Sequence, residues 1–150
     1  MADYKRLFLD GYSYYLTIVT HKRMPLLIEH IEALRESFRE SKQYYSYTIN
    51  AIVILPDHLH MIITPNDVHE YPKIIRAIKY NFSMMVKINA EQSMARNKKG
   101  MTPVWQKRYY EHTIRDEKDY FRCLEYMKNN PIKHELVENE DEWEYSSFIE

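Results

Sequence analysis

YTINAIVILPDHLHMIIT, residues 47–64, holds two aliphatic, β-branched runs parted by a single Pro56-Asp57 break. Ile, Val and Thr in such runs favour extended backbone. A proline cannot continue a central strand, so the stretch predicts two antiparallel neighbours joined by a tight turn. In the second run a period of two sends His58 and His60 to one sheet face and Leu59 and Met61 to the other. Asp57 is expected on the face away from the histidines.

Working outward, SYYLTIVT at residues 13–20 predicts a strand after Asp10-Gly11. Pro25 then opens a helical stretch to about Lys42. Leu27, Ile31, Leu34 and Phe38 recur there at spacings of four, three and four, opposite Glu29, Glu32, Arg35, Glu36 and Arg39. Downstream, Pro65-Asn66-Asp67 ends the strand and a long helix begins near Glu70, with Pro72 in its first turn. Its apolar stripe is Ile75, Ile78, Phe82, Met85 and Ile88, and residues 96–100 form a basic loop. WQKRYYEHTIR, residues 105–115, predicts a fourth strand, and Asp116 caps a last helix over 117–130 that Pro131 stops. The order strand, helix, strand, strand, helix, strand, helix predicts an α+β, ferredoxin-like split βαβ fold. Helices cover one face of an antiparallel sheet, and the other is free for a ligand.

The 150 residues are read as one domain, 1–150, and 45% hydrophobic content supplies a core. One cysteine, Cys123, excludes an internal disulfide and is expected to pack within a helix. The chain shows no secretory signal and no apolar run of membrane-spanning length, so a reducing cytoplasm is expected and a membrane partner is not. The formal charge of −1 conceals a segregation. From Lys73 to Arg108, nine basic residues face Glu91 alone, whereas from Glu135 to Glu150 seven acids stand without a Lys or Arg. Such asymmetry marks either a polyanion-binding face or a solvated helix with an acidic tail.

Two imidazoles one pleat apart can share a metal ion or be an ordinary surface pair; a metal would need a third ligand. Asn130 offers one, and Tyr126, four residues earlier, projects from the same helical face. A phenol delivered beside a metal-ligating amide suits attack on a polarised phosphate; alternatively Asn130 merely caps the helix and Tyr126 is one tyrosine among 14. Tyr120, about 240° around the helix from Tyr126, falls with Leu124 and Met127 on an apolar stripe expected in the core. A metal-dependent hydrolase is disfavoured, because no carboxylate sits at strand or helix spacing to serve as its base.

LPDHLHMII, WQKRYYEHTIR and DYFRCLEYMKNNPIKHELV together resemble the single-tyrosine HUH transposases of the insertion-sequence type, and most closely their REP-associated tyrosine transposase branch. The resemblance runs from Tyr4-Lys5-Arg6 to Phe148. It implies that His58 and His60 are the metal-binding pair, Asn130 the third ligand and Tyr126 the nucleophile. IKHELV departs from the family, which often carries glycine before the Leu-Val. The resemblance further implies cleavage and rejoining of single-stranded DNA through a 5′-phosphotyrosine, with Mg²⁺ or Mn²⁺ as cofactor. The expected partner is single-stranded or hairpin DNA, and the expected setting is the bacterial cytoplasm at the nucleoid, as a monomer or homodimer. Arg76 and Lys79, three apart on the long helix, and Lys107 and Arg108, set among Trp105 and Tyr109-Tyr110, are the expected DNA contacts. His112 is a candidate supporting group behind the ligands. The competing expectation is a non-catalytic ferredoxin-like module that binds single-stranded nucleic acid.

Overall fold

The computed structural model describes residues 12–93, 103–139 and 142–147. Its elements are strand β1 (Tyr14–Val19), helix α1 (Ile31–Tyr44), strands β2 (Tyr47–Ile54) and β3 (His58–Pro65), helix α2 (Tyr71–Ser93), strand β4 (Tyr110–Thr113) and helix α3 (Glu117–Lys133). The sheet order is β2-β3-β1-β4 with every pairing antiparallel, the expected ferredoxin-like arrangement.

Alternation along the strands builds two cores, one on each face. Tyr14, Leu16 and Ile18 of β1, with Leu59, Met61 and Ile63 of β3, pack with Leu34 of α1 and with Ile74, Ile75, Ile78 and Phe82 of α2. The other phase of the same strands, Tyr15 and Ile62, joins Ala51, Val53 and Leu55 and the α3 residues Cys123 and Met127. The face opposite α1 and α2 is therefore not bare: α3 lies on part of it, and what stays open is the strip beside α3. Cys123 is a buried packing residue, as expected, and Tyr120 and Leu124 pack at the margin of that second core.

Three boundaries differ from the sequence expectation. Helix α1 begins at Ile31, because residues 25–30 form turns that still bury Leu27 beneath the sheet. The strand expected over 105–115 shrinks to Tyr110–Thr113. Trp105 leaves the ladder to bridge Thr20 and to donate its indole N–H to the Lys79 carbonyl at 3.1 Å, so this segment follows α2. Helix α3 runs through Pro131 to Lys133. It closes with a left-handed turn: Leu136 donates to the Pro131 carbonyl (2.9 Å), Glu135 donates to that of Ile132 (2.8 Å), and Glu135 has φ = 59°. Glycine, with no Cβ, is the residue best suited to that position. Asp116 caps α3 as expected, accepting from the Asp119 N–H at 2.8 Å. The tail folds along the outer edge of β2, where Tyr145 and Ser147 exchange backbone hydrogen bonds with Ile54 and Ile52. The basic loop expected at 96–100 lies outside the described residues.

Candidate active site

The pleat places His58 and His60 on the α3 face, their rings 4.9 Å apart and both buried. His60 stands opposite Thr17 in the ladder. Its Nδ1 is held by the hydroxyls of Thr17 (2.8 Å) and Tyr15 (3.0 Å), while its Nε2 is buried without a hydrogen-bond partner. Burial, then the like charges of His58, His134 and Lys133, pull its pKa down to about 3, with the Asn130 amide alongside working the other way. His60 is thus a neutral imidazole with one nitrogen anchored.

His58 is fixed from a different side. Asp57 does not point away, as strand alternation suggested, because it belongs to the turn before β3. Its Oδ1 lies 2.6 Å from His58 Nδ1, and its Oδ2 accepts from Arg23 Nε at 3.0 Å. Burial of this carboxyl is outweighed by His58 and Arg23, which hold it below the usual carboxylate range. An ionised carboxylate there favours the Nδ1–H tautomer and leaves Nε2 as the free lone pair.

Helix α3 supplies the rest. Asn130 is 1% exposed, and both polar atoms of its amide lack a hydrogen-bond partner. Tyr126, one turn earlier, stands with its ring 5.5 Å from that of His60 and 6.5 Å from that of Tyr15, and is 45% exposed to an open groove. All four groups come from one chain. The groove, about 590 Å³, is lined by Tyr15, Thr17, Tyr110, His112, Arg122 and Tyr126, among others.

A buried, unpaired polar atom costs on the order of 1–3 kcal/mol, and His60 Nε2 and both atoms of the Asn130 amide are all such atoms. A divalent cation would satisfy the imidazole nitrogen and the amide oxygen, so this donor set fits one. His112, Asp119 and Cys123 form another cluster, their donor atoms within 4.8 Å of one another. That cluster is already paired: Asp119 accepts from Arg115 N–H and lies 2.8 Å from His112 Nε2, while burial and Asp119 push the Cys123 thiol up to about 11. It ties β4 to α3 in the manner of a structural cluster, and His112 enters the site through that tie.

Residues 9–130 match the family described as Transposase IS200 like. The chain belongs to this family of transposases. A REP-associated tyrosine transposase of Escherichia coli is 31% identical over 150 residues, 99% of this chain and 83% of that protein. A relative from Haemophilus influenzae that carries the same family name is 35% identical, over 99% of this chain and 86% of its own length. Among solved structures, a REP-associated tyrosine transposase bound to a REP hairpin shares 30% identity at a TM-score of 0.78, across 99% of this chain and 83% of that one. A protein of Deinococcus radiodurans, 18% identical at a TM-score of 0.54, shares the fold. The IS200-like transposase described here is thus an enzyme of the REP-associated tyrosine type, with a DNA-binding function.

The expected DNA contacts divide. Arg76, Lys79 and Lys107 line a second groove of about 560 Å³ with Tyr80, Trp105 and Tyr109, beside α2, whereas Arg108 is exposed outside that lining. Lys79 has a structural task there. Its Nζ donates to the carbonyl of Gln106 at 3.0 Å, 5.7 Å from the Tyr109 ring centroid, and burial lowers its pKa. Lys133 and His134 went unnoticed in the sequence, although they follow Tyr126 by seven and eight residues and so share its face. His134 brings its ring to 5.2 Å from that of His58. Among the described residues no helix is long and apolar enough to cross a membrane.

Proposed function

We propose that this transposase cuts and rejoins single-stranded DNA flanking a hairpin, with Tyr126 as the nucleophile. The observation that carries the reading is the placement of an exposed phenol one helical turn from a buried, unpaired amide and 5.5 Å from the ring of His60. His58, His60 and Asn130 would hold Mg²⁺ or Mn²⁺, which when bound draws electron density from a nonbridging phosphate oxygen. Asp57 orients His58, and Thr17 and Tyr15 orient His60, so neither imidazole is free to turn away.

In cleavage the Tyr126 oxygen bonds to phosphorus, the bond from phosphorus to the 3′-oxygen breaks, and that oxygen leaves as a 3′-hydroxyl. The 5′ end stays on the tyrosine. A second 3′-hydroxyl then attacks the same phosphorus and releases the phenol, so the phosphodiester is exchanged without a nucleotide cofactor. Asp57 is bound to His58 and Arg23, which supports exchange over a hydrolase with a carboxylate base. In this reading His58, His60, Asn130 and Tyr126 of one chain act together, in a monomer or in each half of a homodimer. The DNA that such an enzyme would act on lies at the nucleoid of a bacterial cytoplasm, and that is the setting proposed for it.

The test is a denaturant-resistant protein–DNA band, formed with hairpin oligonucleotides drawn from the DNA around the protein's own gene, in Mn²⁺. Tyr126→Phe removes one hydroxyl and should abolish the band while hairpin binding persists. Changing His58 and His60 together to Ala should abolish it too, with loss of calorimetric Mn²⁺ binding. A band that survives Tyr126→Phe would move the nucleophile to another tyrosine. If wild type never forms one, the chain is a binding module.

A further inference from the structure

Lys133 stands two turns beyond Tyr126 on the same face of α3. Its Nζ lies 3.5 Å from the Tyr126 phenol oxygen and 5.2 Å from the centroid of the ring. At 3.5 Å the contact is at the outer limit of a hydrogen bond, so what the ammonium supplies is mainly charge. Lys79 shows the contrast: its ammonium is used up on backbone carbonyls. Lys133 has none of these contacts among the described residues. The hydrogen bonds that close α3 immediately after Lys133 fix the backbone from which it reaches back.

We propose that Lys133 is a catalytic residue, which faces the Tyr126 oxygen at the groove and carries the counter-charge as negative charge develops on that oxygen while its bond to phosphorus is made or broken. The proposal rests on Tyr126 being the nucleophile. In cleavage the phenol proton passes to solvent water as the bond to phosphorus forms, and the departing 3′-oxygen takes a proton from water. In rejoining the incoming 3′-hydroxyl gives its proton to water, and its oxygen bonds to phosphorus. The electron pair of the broken bond then returns to the phenol oxygen, facing the ammonium. Lys133 keeps its proton throughout and serves both directions. The other groups facing this groove do not duplicate it. Tyr15, Thr17 and Tyr110 bring no positive charge, His60 is anchored through Nδ1 to Thr17 and Tyr15, His112 is paired with Asp119, and the Arg122 guanidinium lies 3.7 Å from Asp119.

Lys133→Met and Lys133→Arg would be compared with wild type on one hairpin oligonucleotide with single-stranded flanks, in Mn²⁺. With DNA saturating, the Met variant should form the covalent adduct and rejoin it roughly tenfold more slowly, at unchanged hairpin affinity, and Arg should restore most of both rates. That is less than the loss of a buried donor, because Lys133 faces solvent. A second measurement needs no DNA: with 3-fluorotyrosine at position 126, the ¹⁹F resonance should move in Lys133→Met and return in Lys133→Arg. Met-variant rates within twofold of an active wild type would overturn the proposal, as would a defect confined to hairpin affinity. An unmoved ¹⁹F resonance would remove the contact. A wild type that forms no adduct would instead overturn the cleavage reading, and this proposal with it.

Discussion

At the scale of single residues, His58 is oriented by groups outside the lining of the Tyr126 groove. Asp57 spends one carboxylate oxygen on His58 and the other on Arg23, and the arginine reaches it from a backbone held at φ = 53°. A left-handed conformation at a residue with a Cβ is costly, so the turn is kept by its contacts, among them the Thr20 N–H and hydroxyl on the Asp57 carbonyl. Removing such an outer carboxylate typically weakens a metal by 10- to 100-fold. Asp57→Asn keeps the shape but loses the charge that fixes the His58 tautomer. Its Mn²⁺ affinity by calorimetry should therefore fall by about tenfold or more, with the circular dichroism spectrum unchanged. An affinity equal to wild type would mean that the tautomer is set elsewhere.

At the scale of elements, α3 depends on how it ends. Glu135 is exposed and adopts φ = 59° at the position after the helix cap, where glycine carries no Cβ penalty. Glu135→Gly removes a left-handed penalty of about 1–2 kcal/mol against glycine's own entropic cost of about 0.5–1 kcal/mol, so it should stabilise the chain by roughly 0.5–1 kcal/mol and raise Tm by about 1–4 °C for a chain of this length. A lower Tm would mean that the glutamate makes a compensating interaction. Elements with a clean period were legible in the sequence. The two-residue alternation of β3 gave the histidine face, and the four-residue step from Tyr126 to Asn130 gave the α3 face; the second core that α3 makes on the expected free face was not read. Lys133 and His134 obey the same helical rule and could have been read by extending it past Pro131, since a proline in the last turn need not end a helix. What local pattern could not show was contact across the fold. Trp105 pulls its segment out of the expected strand to meet α2, and His112 meets Asp119 across the turn into α3. Asp57 was misread because strand alternation was carried into a turn.

At the scale of the whole molecule, β4 is an edge strand that lines one groove, and the segment leading into it lines a second. Tyr110 and His112 look into the groove of Tyr126, while Lys107 and Tyr109, just before the strand, line the basic groove beside α2. A DNA strand that leaves Tyr126 and bends around this edge would meet Tyr110, 58% exposed, and then the cations of the second groove. The net charge of −1 gives no hint of such a path, because the acidic tail offsets the basic middle. Each cation that neutralises a phosphate of single-stranded DNA contributes about 0.7 to the slope of log K against log salt. Arg76→Ala with Lys107→Ala, made in a Tyr126→Phe background so that nothing is cut, should flatten that slope by about 1.4 and weaken binding. The sequence preference of the hairpin should not change, since phosphate contacts carry no base information. Lys79→Ala should behave differently: it frees the Gln106 and Lys107 carbonyls that Lys79 holds, so it should lower Tm as well as affinity. An unchanged salt slope in the Arg76 and Lys107 double variant would take the groove beside α2 off the path of the DNA.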